Sequence, residues 1–323
     1  MSQSHHFNYI ITIHNKEDLI EQVMRSVLTC CRDNSSIYAV LDGCTDKSEA
    51  IIDGIADKFA NIPITKIFTP DVHEILSINA GLRAANQEGE GFNIILQDDV
   101  LLADSIIESK VIALYDWVGP QLGLVSFRHG ANFFDDAVTS ATSVPFRDYV
   151  ENAYGHGSSE AQVLLPGQLA YRTVSIKSPI CIPSYVIRSV GMLKERLAPY
   201  MHDDTDYSIR CIKVGFRNAV FALRFNSDVR WGGTRVTPHP EMGTITKRNM
   251  DLIRAWHYKE LEDICNSTQP TGIIQLSNMA SEEEKGIALD AWRKALRKNQ
   301  DHRSKGVLKA IAKKFKFFDR YLL

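Results

Sequence analysis

The sequence predicts an α/β fold with a mostly parallel, Rossmann-like sheet flanked by helices. Three observations predict it. Strand and helix patterns alternate over the first hundred residues, the signature of βαβ crossovers. The run from Phe92 to Leu96 reads as a strand buried on both faces, as parallel strands are. Polar residues stand at the ends of three of these strands, namely His14-Asn15, Asp42-Gly43 and Gln97-Asp98-Asp99. In open parallel sheets that rim is where ligands bind.

The elements follow in order. Phe7 to Ile13 is a β-rich run, and Asn15 is a candidate N-cap for a helix over Lys16 to Leu28. In that helix Leu19, Ile20, Val23, Val27 and Leu28 recur at helical spacing. A second strand spans Ile37 to Leu41, and a helix follows from Lys47 to Phe59. Ile64 to Phe68 is the third strand and Ile75 to Gln87 the third helix. Beyond Ala103 come a helix over Ser105 to Trp117 and a strand over Leu122 to Phe127. Gly130 to Pro179 is a looser stretch rich in Gly, Ser and aromatics. Ile180 to Ile187 is expected as a strand, His202 to Val214 as an acid-led helix, and Ala219 to Phe225 as a strand. From Ser281 the chain reads as helical and increasingly basic. This divides the chain into a main α/β domain over 1–240, with halves 1–103 and 104–240, and a helical C-terminal extension over 241–323.

With 37 basic and 39 acidic side chains the formal net charge is −2, which argues against a nucleic-acid partner, since that needs a strongly basic surface. No run reaches the roughly eighteen apolar residues of a membrane span. The six cysteines form no CxxC pair, and Cys30 and Cys31 sit in an apolar helical stretch. Buried reduced thiols and a cytoplasmic location are expected.

Three acidic segments carry candidate chemistry. Two carboxylates at the end of the buried strand, Asp98 and Asp99, are hard oxygen ligands that suit Mn²⁺ or Mg²⁺. Such a sparse site needs a phosphorylated ligand to complete it. The alternative reading of the pair is a helix-opening acid pair before Leu101. In Asp42-Gly43-Cys44-Thr45-Asp46, Asp42 stands where it can accept hydrogen bonds from a base or ribose, Gly43 allows a close turn, and Thr45 and Asp46 suit a helix cap. In His202-Asp203-Asp204-Thr205-Asp206, three acids begin a helix. They complement its dipole, and crowded like charges also raise one another's pKa, which suits a general base.

Together these segments resemble glycosyltransferase family 2, the inverting GT-A class. The strand, polar turn and acidic helix over Ile10 to Leu19 are similar to the family's opening pattern. Asp42 to Asp46 resembles its Asp-Gly-Ser-Thr-Asp turn, with Cys44 for Ser, and Asn79-Ala80-Gly81 resembles its Asn-x-Gly helix. Gln97-Asp98-Asp99 aligns with its Asp-x-Asp metal motif, with Gln in the first place. Asp203 to Arg210 resembles its Glu-Asp-x-Asp-Leu-x-x-Arg motif. The match runs from about Phe7 to Phe225.

The resemblance implies a nucleotide-diphosphate sugar donor and a saccharide or lipid-linked acceptor. It places Asp42 on the nucleotide base, with Thr12, His14, Asn15 and Asn79 around the donor. Gln97 lies on the donor side and removes one possible metal ligand, Asp98 lies near the ribose or supports the metal site, Asp99 ligates the metal, and Asp204 is the base that deprotonates the acceptor hydroxyl. Arg210 is structural. Arg230-Trp231-Gly232-Gly233-Thr234-Arg235 stands where the family has its diphosphate loop, so Arg230, Gly232, Gly233 and Arg235 are the candidate phosphate loop, and His239 is a weaker candidate for the family's late His. The implied activity is hexosyl or related transfer in polysaccharide, lipopolysaccharide or other glycoconjugate synthesis. A nucleotidyltransferase is the first alternative, but it would open with a Gly-rich phosphate loop, and His14-Asn15-Lys16-Glu17-Asp18 is not one. The second is a non-catalytic nucleotide-sugar binder, which has no need of a base such as Asp204.

Lys305 to Leu323 interleaves Lys309, Lys313, Lys314, Lys316 and Arg320 with Val307, Leu308, Ile311, Phe315, Phe317 and Phe318. A basic amphipathic helix of this kind suits peripheral contact with an anionic membrane at its inner face, and the other reading is packing on the catalytic domain or a partner subunit.

Overall fold

The computed structural model describes residues 5–85, 89, 91–133, 146–158, 160–232, 240–267, 271–276 and 279–318, the last stretch from 301 as backbone alone. Strand β1 (His6–Ile13) enters helix α1 (Ile20–Leu28), followed by β2 (Ser35–Asp42), α2 (Ser48–Ala56), β3 (Ile64–Thr69), α3 (His73–Ala84) and β4 (Gly91–Gln97). A short β5 (Leu101–Leu102), α4 (Ile107–Val118) and β6 (Leu122–Ser126) come next. The stretch read as loose is instead a run of short strands, β7 (His129–Phe133), β8 (Phe146–Asn152), β9 (Gln162–Leu164), β10 (Gln168–Tyr171) and β11 (Val174–Ile176). Strand β12 (Ile180–Pro183), α5 (Ser184–Val190), α6 (Asp203–Lys213), β13 (Arg217–Phe221) and β14 (Phe225–Asn226) complete the middle of the chain. The C-terminal part supplies α7 (Met242–Ser267), β15 (Ile274–Gln275) and α8 (Glu282–Phe318).

Nine strands form one sheet in the order β15-β10-β13-β6-β12-β4-β1-β2-β3. Strands β3, β2, β1 and β4 are mutually parallel. Strand β12 runs against both β4 and β6, and β10 against both β13 and β15. The sheet is thus mostly parallel, as the alternation of elements predicts. Strand β1 shows why it is central: Tyr9, Ile11 and Ile13 join one core and Ile10 the other. The first core lies under α1, α2 and α4, and the second under α3, α5 and α6. Gly81 lets α3 lie this close, because a Cβ there would come within 2.4 Å of Ile10 Cγ2. A second sheet, β11-β7-β8-β9, stands beside the first.

Two expected elements differ. The strand expected over Ile180 to Ile187 ends at Pro183, and Ser184 begins helix α5; proline lacks the N–H to continue a ladder and favours a helix start. The first helix begins at Ile20 rather than Lys16, and Asn15 is not its cap. Asn15 adopts φ 46° and its Oδ1 accepts from Thr45 N at 2.8 Å, which pins the end of β1 to the turn after β2.

The cysteines are free, with Cys30, Cys181, Cys211 and Cys265 buried. The C-terminal segment is not detached from the sheet: β15 is its edge strand, and Ala288 and Trp292 of α8 pack on Ala153. None of the described helices is long and apolar enough to cross a membrane.

Candidate active site

The ends of β1, β2 and β4 meet the starts of α3 and α6 around two adjoining cavities. The first, about 260 Å³, is lined by Thr12, His14 and Lys16 from the β1 end, Asp42 from β2, His73, Glu74 and Ser77 from α3, Gln97 from the end of β4, and Asp98 and Asp99 just after it. Tyr200, Met201, Gly232 and Met242 close its far side. The second, about 350 Å³, holds Asp203, Asp204 and Thr205 at the start of α6, with His129, Phe146, Tyr149, Ile176 and Lys177 opposite. Glu74, Gln97 and Met201 line both.

Asp42 is 4% exposed. Its carboxylate accepts from Thr69 Oγ1 at 2.7 Å and from the N–H groups of Val72 and His73 at 2.8 Å each. It therefore holds the turn into α3 as well as facing the cavity. Gly43 makes this turn possible: its φ is 59°, and a Cβ there would sit 2.6 Å from Asp71 Cβ. His14 Nδ1 lies 2.7 Å from the Asp42 carbonyl oxygen and 3.7 Å from Asp71 Oδ1. His14, Asp42 and Asp71 bring ligand atoms within 4.8 Å of one another, although three donors already occupy the Asp42 carboxylate.

Asp98 and Asp99 part company. Asp98 Oδ2 accepts from the His14 N–H at 2.9 Å, and Oδ1 lies 3.5 Å from Lys16 Nζ. Burial pushes its carboxyl up to about 6, against the pull of Lys16 and the His14 N–H. Lys16 Nζ also donates to the Trp231 carbonyl at 2.7 Å, so this ammonium ties the β1 and β4 ends to the 231–232 backbone over the cavity. Asp99 is 4% exposed and lies beside it on the cavity wall.

Asp204 sits in the second cavity. Burial pushes its carboxyl up to about 7, the charge of Asp203 adds to the rise, and Lys177 and the Thr205 N–H oppose it. Lys177 is the cation of this cluster, paired with Asp203 and 3.5 Å from Glu74 Oε1, and its own affinity for the proton is raised by those carboxylates despite burial. Gln97 Nε2 donates to the same Glu74 oxygen.

One further acid of α6 has a different task. Asp206 is fully buried, accepts from Arg210 Nε at 2.7 Å, and lies 2.7 Å from His257 Nε2 of α7. Burial alone would raise its carboxyl, but His257 and Arg210 outweigh that and hold it below the usual range. Arg210 also donates to the carbonyls of Val190 and Met192. Replacing Asp206 by Ala is expected to cost about 3–5 kcal/mol, because it leaves two buried cationic or polar partners uncompensated. Urea denaturation measures this, and a loss below about 1 kcal/mol contradicts the assignment.

Some expected residues stand apart from the cavities. Asn79 is 1% exposed and spends its amide on the backbone of Leu193 and on Glu195 Oε1. Asn15 braces Thr45, as above. Of the candidate phosphate loop, Gly232 lines the first cavity, whereas the exposed Arg230 guanidinium is held by Asp228 at 2.8 and 3.0 Å. Gly233, Arg235 and His239 lie outside the described residues. Conversely, Glu74, Lys177 and Met201 belong to the site without any motif announcing them, and Lys16 lies in the opening motif with no role expected of it. Backbone conformation marks Met201 and the rim around it: Asn15, Asp71, His73, Met201 and His202 all have positive φ, and all stand at or beside this rim. Strain of that kind clusters at functional sites.

The comparisons agree with this architecture. Residues 9–116 match the family model of glycosyl transferase family 2. No curated protein matches the chain. Among solved structures, residues 1–349 of S. aureus TarS in complex with UDP-GlcNAc are 14% identical with a TM-score of 0.55, the alignment covering 90% of this chain and 81% of that one. Longer TarS gives a TM-score of 0.54 at 14% identity over 81% of this chain, which spans only 43% of that protein's length. GalNAc-T7 with UDP, GalNAc and Mn²⁺ is 9% identical with a TM-score of 0.53, covering 70% of this chain and 44% of that one. Over residues 9–116 the chain is thus similar to glycosyl transferase family 2, and its fold is the GT-A fold of these structures.

Proposed function

We propose that the protein is an inverting glycosyltransferase that moves a sugar from a nucleotide-diphosphate donor to an acceptor hydroxyl. The observation that carries this reading is the pair of adjoining cavities, with Asp99 in one, Asp204 in the other and a shared wall between them. The donor occupies the first cavity, its base toward Asp42 and Thr12. TarS bound to UDP-GlcNAc and GalNAc-T7 bound to UDP and Mn²⁺ share the fold and support this choice of ligand.

The first cavity fits a hard divalent ion, Mn²⁺ or Mg²⁺, at Asp99, whose carboxylate is an oxygen ligand that the donor's diphosphate would complete. Asp98, engaged by His14 and Lys16, orients the segment and leaves the ligand role to Asp99. When bound, the ion stabilises charge on the departing diphosphate. Asp204 takes the proton from the acceptor hydroxyl, which attacks the anomeric carbon opposite the diphosphate and inverts its configuration. The aromatic wall of Phe146 and Tyr149 suits the apolar face of a saccharide.

A thermal-shift panel of UDP, GDP, dTDP and their sugars, with and without Mn²⁺, tests the reading, because a ligand that binds only the folded state raises its melting temperature. A metal-dependent rise with one nucleotide family is expected, and no rise with any nucleotide contradicts the proposal.

A saccharide or lipid-linked acceptor in glycoconjugate synthesis, used by an enzyme in the cytoplasm at the inner face of the membrane, accords with the basic amphipathic sequence over 305–323. Deleting these residues is expected to abolish co-flotation with anionic liposomes, and equal flotation of the two forms removes this part of the proposal.

A further inference from the structure

The wall shared by the two cavities is where the transferred sugar has to lie. Its anomeric carbon joins the diphosphate, on the Asp99 side, to the incoming hydroxyl, on the Asp204 side. Two of the three side chains there are polar, Glu74 in the first turn of α3 and Gln97 at the end of β4. They fix each other, since Gln97 Nε2 donates to Glu74 Oε1 and Lys177 Nζ lies 3.5 Å from that same oxygen. Both contacts fall on Oε1, which leaves Glu74 Oε2 and the Gln97 side-chain carbonyl as hydrogen-bond acceptors.

The charges on this wall are unequal. Lys177 is shared between Glu74 and Asp203, so one cation faces two carboxylates. The wall therefore offers acceptor oxygens and an excess of negative charge. Hydroxyl groups satisfy both, whereas a carboxylate on the sugar satisfies neither.

We infer that Glu74 and Gln97 select the transferred sugar, accepting hydrogen bonds from the hydroxyls of an uncharged hexose and rejecting a uronate. This rests on the glycosyltransferase reading and assigns its donor class. Lys177 is a positioning residue in this arrangement: it holds Glu74 and Asp203 at fixed places on either side of the wall.

The test is calorimetric binding, in Mn²⁺, of a nucleoside diphosphate, its hexose conjugate and its uronate conjugate, for example UDP, UDP-glucose and UDP-glucuronate, and the GDP and dTDP counterparts. The wild-type protein is expected to bind the hexose conjugate about tenfold or more tightly than the uronate conjugate. Glu74→Gln keeps the shape and an acceptor oxygen but removes the charge, and it leaves Lys177 paired with Asp203. In that variant the preference is expected to shrink to within about threefold, with affinity for the bare diphosphate unchanged. Equal wild-type binding of the two conjugates, or the same preference persisting in Glu74→Gln, overturns the inference while leaving the donor site intact. The wild-type comparison stands even if the variant does not fold. Absence of binding by every diphosphate overturns the glycosyltransferase reading and this inference with it.

Discussion

Replacing Asp204 by Asn is expected to lower sugar transfer by about 10²–10⁴-fold, the range that a positioned general base contributes. Donor affinity should stay the same, because Asp204 lines the second cavity and not the one that holds Asp42, Asp98 and Asp99. The wild-type pH profile carries a matching signature. Burial, then the neighbouring charge of Asp203, pushes the Asp204 carboxyl up to about 7, and only its ionised form accepts a proton. Turnover should therefore rise with pH, about tenfold per unit below pH 7, and level off above it. A variant that transfers at near wild-type rate, or a flat profile between pH 5 and about 8, refutes the assignment of the base.

Asp99→Ala acts on the other cavity. It removes the buried carboxylate that the proposal sets beside the diphosphate and its ion, which would cost several kcal/mol of charge stabilisation, or roughly a thousandfold in rate. The Mn²⁺-dependent part of the nucleotide-induced rise in melting temperature should disappear with it. Asp98→Ala should behave differently. Asp98 is engaged by the His14 N–H and Lys16, so its loss loosens the β1 and β4 ends and weakens donor binding while metal dependence persists. Equal loss of metal dependence in both variants contradicts the separation of roles.

Much of the fold was legible because its first half obeys local rules. Strands β1, β2 and β4 are buried on both faces, and their apolar runs show in the sequence. The three polar strand ends, His14-Asn15, Asp42-Gly43 and Gln97-Asp98-Asp99, follow from the same topology and do meet at one rim. The stretch after Gly130 was opaque because β7 to β11 are three to seven residues long, too short for a period to show. Pro183 turned an apolar run from strand to helix, since β-branched residues leave that choice open over so few positions. Asn15 looked like a cap because it precedes an amphipathic run, but tertiary contact with Thr45 took its side chain.

The site was legible only where a residue's chemistry is tied to a motif. Glu74 is the second residue of α3, where an acid reads as a complement to the helix dipole. Lys177 lies in a connection between β11 and β12. Neither announces itself along the chain, because the partner that gives each its meaning is about a hundred residues away. The structure brings them together where the first turn of α3 meets the connection between β11 and β12. Asp206 is the reverse case: it sits inside a recognisable motif, yet its contacts with Arg210 and His257 make it a brace between α6 and α7.

The most direct measurement is release of nucleoside diphosphate from each nucleotide sugar in the presence of Mn²⁺ and a saccharide acceptor pool, compared between the wild-type protein and Asp204→Asn. The account predicts acceptor-dependent release from at least one donor by the wild type, and its loss in the variant, which still binds that donor. Binding without release in the wild type, or equal release by both proteins, contradicts the claim that this chain is a glycosyltransferase with Asp204 as its base.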